Sequence, residues 1–176
     1  PSTASRPHAV IGMVSGEITT TDGGYTDRVD VDYDILKIAV IERHKNTHHI
    51  GLGYIKGYGL KKGAVATSIS HDSHNIIVGD MACAANHIVQ NHGGITVVED
   101  GQVKSDVLLA IAGIMSDDSL VNVNRDLEAA KAAAYALGVS EGIDPFMTLS
   151  FMALPVIPTL RITTRGVFDM GSQRYV

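Results

Sequence analysis

The sequence predicts an α+β fold, a mixed β-sheet sandwich with packed helices, and three observations support this class. Short runs rich in β-branched residues recur along the chain, which is typical of strands. Two longer segments repeat apolar residues at helical spacing. An Asp-Gly pair between two β-rich runs indicates a hairpin, and hairpins favour a mixed sheet over an all-parallel one. The length of 176 residues suits a single domain over residues 1–176.

The first half of the chain is predicted to hold an exposed edge followed by strands. Residues 15–34 are rich in Thr, Asp and Gly, which indicates an exposed turn and an edge strand. Residues 35–42 form a short β-branched run and predict a buried strand, with a helix as the alternative. Glycines are dense between residues 51 and 63, which indicates turns and close backbone approach rather than a regular element. The alternating segment 64–70 predicts a half-buried strand.

A strand at residues 76–78 is predicted to lead into a helix over residues 80–91. Asp80 suits the N-cap of this helix, and the glycine pair at 93–94 suits its end. The helical spacing places five apolar residues on one side, which we expect to be buried: Met81, Ala84, Ala85, Ile88 and Val89.

The second half is predicted to contain a hairpin, a long helix and a packed tail. Strands at 95–98 and 102–107 flank Asp100 and Gly101, a pair that accepts the positive φ of a type I′ turn. A helix over 119–137 has the predicted buried stripe Leu120, Val123, Leu127, Ala130, Ala134 and Leu137. The apolar tail is broken by prolines, so we expect it to pack over the rest of the chain or against another domain.

Composition argues against several classes of protein. A net charge of −5, with no basic run longer than Lys61-Lys62, argues against a nucleic-acid binder and a polybasic membrane anchor. No stretch approaches the ~20 consecutive apolar residues of a membrane span. The single cysteine, Cys83, allows no internal disulfide, which suits a reducing compartment, and we expect a cytoplasmic protein.

The sharpest local feature is a run of five polar residues between two predicted strands: His71, Asp72, Ser73, His74 and Asn75. Such side chains are costly to bury, and loops held by a scaffold often carry binding groups. His can transfer protons near neutral pH, Asp can orient a His ring, and Asn offers a ligand both a donor and an acceptor. The alternative is a polar turn whose side chains cap the strand ends.

Glu42, Arg43 and His44 form a second polar group directly after the strand predicted at 35–41. Ligand crevices of α/β sheets lie outside the carboxyl ends of strands, which makes this group a weaker binding candidate. The alternative is a surface ion pair beside a solvated His. Four other histidines are expected to be exposed or structural: His48, His49, His87 and His92.

A metal site formed by this chain alone is disfavoured. His71 and His74 would face the same side only in a helix, because residues i and i+3 of a strand point to opposite faces. Asp72 could complete a set of two His and one carboxylate, but three neighbouring ligands in one loop are a weak signal. We therefore expect no metal ion in this chain.

Five segments, in this order along the chain, carry a family resemblance: 34–44 (DILKIAVIERH), 50–61 (through IGLG at 50–53, KG at 56–57 and GLK at 59–61), 70–78 (SHDSHNIIV), 111–117 (IAGIMSD) and 144–158 (DPFMTLSFMALPVIP). Together they resemble adenine deaminases of the amidohydrolase superfamily. The resemblance implies the C-terminal domain of an enzyme that hydrolyses adenine to hypoxanthine and ammonia in purine salvage and adenine catabolism.

The resemblance also implies a separate N-terminal amidohydrolase barrel that holds manganese, iron or zinc, where the metal lowers the pKa of a bound water. This chain has no H-x-H pair and is too short for a (β/α)8 barrel, which usually needs ~250 residues. The family's metal ligands therefore match no positions here. The expected partners are the N-terminal barrel, adenine and further copies of the chain in a homo-oligomer.

By the same resemblance, the polar loop is expected to face the mouth of the barrel. The candidate catalytic contributors are His71, Asp72 and His74. The weaker substrate-binding candidates are Ser73, Asn75, Glu42, Arg43 and His44. Two alternatives stay open: a non-catalytic binding or assembly module, and a stand-alone enzyme with its own metal at His71, Asp72 and His74.

Overall fold

The structure is a computed structural model and describes residues 7–71, 76–78 and 82–176. Within these residues the strands are β1 His8–Met13, β2 Thr20–Thr26, β3 Leu36–Ile41, β4 Ile50–Lys56, β5 Ala64–Thr67, β6 Ile76–Val78, β7 Gly94–Glu99, β8 Gln102–Leu108, β9 Leu160–Thr163, β10 Gly166–Asp169 and β11 Arg174–Tyr175. The helices are α1 Ala82–Gln90, α2 Leu120–Ala136 and α3 Met147–Met152.

The strands form a large mixed sheet of eight strands and a small sheet of three. The order in the large sheet is β2-β1-β4-β3-β6-β5-β7-β8, and β1 with β4 is a parallel pair among antiparallel ones. Strands β9 to β11 form the small sheet, which contacts β4. The predicted α+β class with a mixed sheet is confirmed.

The main core lies on one side of the large sheet, here called the covered face. It carries Ile38 of β3, Ile55 of β4 and Val97 of β7, all of which are buried. Helices α2 and α3 and the small sheet pack onto this side and bury residues such as Leu149 and Ile162. Burial of apolar area on this face supplies most of the favourable free energy of folding.

Strand β4 corrects the prediction of turns across the glycine-dense segment. Its Gly51 and Gly53 face the small sheet, and a Cβ on Gly51 would collide with the carbonyl oxygen of Thr163. Glycine here lets another strand cross the sheet closely, so these two glycines do not break the strand. Later glycines behave as predicted, since Gly57 and Gly59 adopt positive φ in the irregular segment after β4.

The opposite side of the large sheet, here called the α1 face, is covered by helix α1 over β5, β6 and β7. Ala84, Ala85 and Ile88 of this helix are buried, as its apolar spacing predicts. The prediction for Val89 is wrong, because its side chain is 56% exposed. The predicted cap Asp80 and the predicted core residue Met81 lie outside the described residues.

Strand β5 is shorter and more deeply buried than predicted. It ends at Thr67, and all four of its residues are buried. The sequence predicted a half-buried strand reaching residue 70, but β5 lies between α1 on one face and the main core on the other. Both faces of this strand are therefore covered.

The hairpin and the long helix are confirmed. Strands β7 and β8 pair up to Glu99 and Gln102, and Asp100 and Gly101 both have positive φ, at 53° and 73°. Helix α2 begins after Ser119, whose hydroxyl accepts a hydrogen bond from the Asn122 N–H. One residue of its predicted stripe is misplaced: Leu120 is 83% exposed, because it lies in the first turn, beyond the core.

The proline-broken tail packs over the rest of the chain, as predicted, but it also forms α3 and the strands of the small sheet. Arg161 of β9 holds this region together. Its guanidinium donates hydrogen bonds to four backbone carbonyls, those of Ile18, Phe151, Ile157 and Pro158. No helix in the described ranges is long and apolar enough to cross a membrane.

Candidate functional site

One end of the large sheet carries the Glu42–His44 group and the start of β6, the strand that follows the predicted 71–75 group in the chain. Glu42 follows Ile41, the last residue of β3, and Ile41 pairs with Ile76, the first residue of β6. Asn75 immediately precedes Ile76 in the chain. The Glu42–His44 group and the 71–75 loop are therefore attached to neighbouring strands at the same end, here called the site end.

His71 is the described residue of the polar loop, and it lies over the covered face. Its backbone N–H donates to the carbonyl of Ser150 at 3.2 Å, and its ring lies 4.1 Å from the ring centre of Phe151. The imidazole lines a cavity of about 190 Å³ with mainly apolar walls. Asp72, Ser73, His74 and Asn75 lie outside the described residues, so the structure fixes where the loop starts and ends.

Glu42 organises the loop that follows it. Its carboxylate accepts hydrogen bonds from the backbone N–H groups of His44, Lys45 and Thr47 and from the Thr47 hydroxyl. These bonds, that of the Thr47 N–H first, lower the pKa of Glu42 from 4.5 to about 2. Glu42 is thus ionised at neutral pH, and its oxygens are engaged in fixing the backbone.

Arg43 reaches across the site end to the loop after β8. Its Nη2 donates to the carbonyl of Ala112 at 2.7 Å, and its guanidinium lies against Gly113, where a Cβ would leave too little room. Partial burial lowers the pKa of Arg43 below its usual value. The side chain therefore ties the end of β3 to the loop after β8.

Ser68 fastens the same end from inside. Its hydroxyl accepts from the Gly94 N–H at 2.8 Å and contacts the Gly113 carbonyl. Gly93 crosses Gly113 so closely that no Cβ fits between the two backbones. The loops after β5, before β7 and after β8 are thereby held as one unit, which gives the site end a rigid base.

A cleft of about 440 Å³ opens at the site end on the α1 face. Glu42 and Arg43 line it, as do three polar residues that the sequence reasoning did not select: Asn46, His48 and His92. All three have positive φ, between 51° and 60°, which directs their side chains in ways that spacing does not reveal. His44 is not among the residues lining this cleft.

His71 and the cleft lie at the same end of the sheet but open on opposite faces. The His71 cavity lies among core residues such as Ile95 and Leu127, whereas the cleft has Ile88 and Val89 of α1 in its wall. The described side chains of the two predicted groups therefore form no single pocket.

Metal-binding side chains do not cluster in the described residues: no three His, Cys, Asp or Glu converge there. The set of His71, Asp72 and His74 is not tested, because two of its members lie outside those residues. The described residues thus provide no ligand set to which a metal-dependent step could be assigned.

Comparison with known proteins adds the family. The model of the adenine deaminase C-terminal domain matches residues 12–174. Adenine deaminase 2 of Carboxydothermus hydrogenoformans is 44% identical over 93% of this chain and 31% of its own length. The adenine deaminase of Bacillus subtilis is 47% identical over 84% of this chain and 26% of its own length. That of Gluconobacter oxydans is 40% identical over 98% of this chain and 33% of its own length.

The match covers nearly the whole of this chain and about a third or less of each relative. The five resembling segments fall in the matched region, where 34–44 contains β3, 50–61 contains β4, and 144–158 contains α3. The chain belongs to the adenine deaminase C-terminal domain family.

Proposed function

We propose that this chain is the C-terminal part of an adenine deaminase, a hydrolase that converts adenine and water to hypoxanthine and ammonia. The observation that carries the proposal is the family match over residues 12–174, together with relatives of that name at 40% to 47% identity. Such an enzyme would act in the cytoplasm, in purine salvage and adenine catabolism.

The proposal divides the work between this chain and an N-terminal barrel. The metal centre, of manganese, iron or zinc, belongs to an N-terminal amidohydrolase barrel, where it would supply hydroxide near neutral pH. The described part of this chain brings no three candidate ligands together, so the chain's contribution is to bind, orient or enclose. Adenine and the barrel are its proposed partners.

The 71–75 loop is the proposed contribution to the site. His71 is anchored by its backbone to Ser150 and by its ring to Phe151, which gives the loop a fixed starting point. Asp72 and His74 would hold or move protons on the substrate, and Ser73 and Asn75 would bind its edge. Fixed attachment matters because a small displacement of a positioning group costs much of its effect.

The test uses a joined protein, in which this chain replaces the C-terminal domain of the Bacillus subtilis relative. We expect ammonia release from adenine, and a loss of about tenfold or more in kcat/KM for His71→Ala, Asp72→Ala and His74→Ala. His49→Ala removes an exposed ring from the loop after β3 and serves as the matched control, with a change below about twofold. Unchanged turnover in all three variants would refute the role of the loop.

The alternative, a non-catalytic module that stabilises or oligomerises its partner, is favoured by the exposed apolar side chains of Ile50 and Leu52. It predicts that the three loop variants keep full turnover while substitutions on that apolar surface weaken assembly. Sedimentation of the joined protein with each set of variants separates the two functions and also reports whether it is a homo-oligomer.

The isolated chain provides a separate control. With manganese or iron(II) added, we expect no ammonia release from adenine, because the metal centre is proposed to lie in the N-terminal barrel. Clear release, with stoichiometric metal in the purified chain, would instead support a stand-alone enzyme with a metal at His71, Asp72 and His74.

A further inference from the structure

Half of the α1 face is an uncovered apolar surface on β3 and β4. Cross-strand neighbours share a face, and here Ile41 pairs with Ile50 and Ala39 with Leu52. These residues alternate with Gly51 and Gly53, which contact the small sheet, so they point to the opposite side. The surface formed by Ala39, Ile41, Ile50 and Leu52 is here called the open face.

The β4 residues of the open face are exposed although Gly51 and Gly53 between and beside them are buried, and its β3 residues Ala39 and Ile41 are half-buried. Ile50 is 54% exposed and Leu52 is 52% exposed. Helix α1 packs mainly over β5, β6 and β7 on this side, and its cluster reaches Ile41 at the edge of the open face, whereas Ile50 and Leu52 stay exposed. Single exposed apolar residues are common, but two on one side of β4, beside half-buried apolar partners on β3, form a patch of the kind that marks an interface.

The open face continues into the cleft at the site end. Ile41 and Ile50 belong to both, and the exposed Val89 of α1 forms the facing wall. At the other end of the same strands the surface turns basic, with exposed Lys37 and Lys56. A protein domain with an apolar contact surface would therefore bind at the site end and cover the cleft.

The family match indicates which domain binds there. The relatives match this chain over 26% to 33% of their length, and the matched model is a C-terminal domain, so most of their chain precedes it. Strand β1 runs parallel to β4, which starts at the site end. A preceding region would thus join β1 from the site end, with His8 beside Tyr54, at 5.7 Å between ring centres.

We propose that the open face is the surface on which this domain packs against the N-terminal region of an adenine deaminase, with Leu52 at the centre of the contact. This inference rests on the proposed function for the identity of the partner. It adds which side of the domain faces the partner, and it places the cleft with Arg43, His48 and His92 at the interface.

Cysteine labelling tests the contact directly. In a Cys83→Ala background, Leu52→Cys is compared between the isolated chain and the joined protein, using a maleimide reagent. Leu120→Cys is the matched control, because Leu120 is 83% exposed on α2, which packs on the covered face. We expect the joined protein to slow labelling at position 52 by about tenfold or more, and at position 120 by less than about twofold.

Equal labelling of Leu52→Cys in both proteins would overturn the inference. Protection in the isolated chain that grows with protein concentration would also overturn it, because a second copy would then cover the face. Adenine turnover of the joined protein is measured in parallel. Protection without turnover would support the interface and refute the proposed function. Turnover without protection would support the proposed function and refute the interface.

A second variant guards against a local effect of the cysteine. Leu52→Glu places a charge on a surface that is exposed in the isolated chain, so the Tm of that chain is expected to stay unchanged within about 2 °C. In the joined protein the same charge would be buried at the contact, and we expect a clear fall in Tm or dissociation of the two regions. Equal behaviour of the variant in both proteins would contradict the inference.

Discussion

The two faces of the large sheet differ in how completely other elements cover them. On the covered face, α2, α3 and the small sheet bury apolar side chains of β1, β3, β4, β5, β7 and β8 in one continuous core. On the α1 face, one helix buries a small cluster around Ala64, Ala66 and Val98 and leaves Ile50 and Leu52 exposed. A sheet with one face complete and the other half covered suits a domain whose remaining apolar surface serves a partner.

Strand β4 shows the contrast within consecutive residues. Gly51 and Gly53 lie under the small sheet with no room for a side chain, whereas Leu52 between them points to solvent on the other side. The covered face should therefore respond strongly to single atoms gained or lost. The open face should tolerate large changes in the isolated chain.

The largest effect is expected at Arg161 on the covered side. Arg161→Met would remove four hydrogen bonds to backbone carbonyls, of which those of Pro158 and Phe151 also accept from the N–H groups of Thr20 and Leu154. We expect the free energy of unfolding to fall by about 3–4 kcal/mol in urea denaturation, because unsatisfied buried acceptors are costly. The pKa of Arg161, lowered by burial to about 10, still leaves it charged at neutral pH.

Arg125→Met is the control for this loss. Arg125 lies on α2 with its side chain 66% exposed and pairs with the adjacent Asp126. Its replacement should cost no more than about 0.5 kcal/mol, because exposed ion pairs contribute little. Similar losses in the two variants would show that Arg161 does not hold the tail to the sheet.

The next effect contrasts neighbouring residues of β4. Gly51→Ala adds one methyl group against the Thr163 carbonyl and should cost about 2–3 kcal/mol through displacement of the small sheet. Leu52→Ala removes three carbons from a half-exposed side chain and should cost less than about 1 kcal/mol in the isolated chain. Urea denaturation measures the loss of unfolding free energy in both variants. A larger loss for Leu52→Ala than for Gly51→Ala would contradict the contrast between the faces.

Local rules predicted the elements whose signals lie within a few residues. The Asp100-Gly101 turn and the Ser119 cap of α2 are of this kind, since each depends on the chemistry of adjacent backbone groups. The role of Gly51 is different, because it depends on contact with Thr163, more than a hundred residues away along the chain. The exposure of Leu120 and Val89 also depends on where distant elements end.

The site was predictable in position more than in detail. Strand ends are where polar groups collect, and the pairing of Ile41 with Ile76 places the strands that precede Glu42 and follow Asn75 side by side. Residue spacing could not show that the carboxylate oxygens of Glu42 would accept hydrogen bonds from its own loop. Nor could it show that His48 and His92 would turn into the cleft through left-handed backbone conformations.

A smaller effect is expected at Ser68, where the loops of the site end meet. Ser68→Ala leaves the buried Gly94 N–H and Gly113 carbonyl without this partner and should cost about 1–2 kcal/mol. Ser172→Ala, at an exposed turn near the C-terminus, should stay within about 0.5 kcal/mol in the same urea titration. If the two variants were equally stable, the site end would not depend on Ser68 for its rigid base.

The smallest effect is the pH dependence contributed by Glu42. Because hydrogen bonds from Thr47 and its neighbours lower the pKa of this carboxylate from 4.5 to about 2, the folded loop favours its ionised form. The resulting stabilisation is present above pH 4.5 and is lost as the pH falls towards 2. Glu42→Gln should remove this part of the pH dependence, and an NMR titration of the wild-type carboxyl should give a midpoint near 2. Thr47→Ala deletes only the hydroxyl donor and keeps the backbone N–H donors, so it should raise that midpoint slightly. A wild-type midpoint already near 4.5 would show that Glu42 does not hold the loop closed beside the cleft.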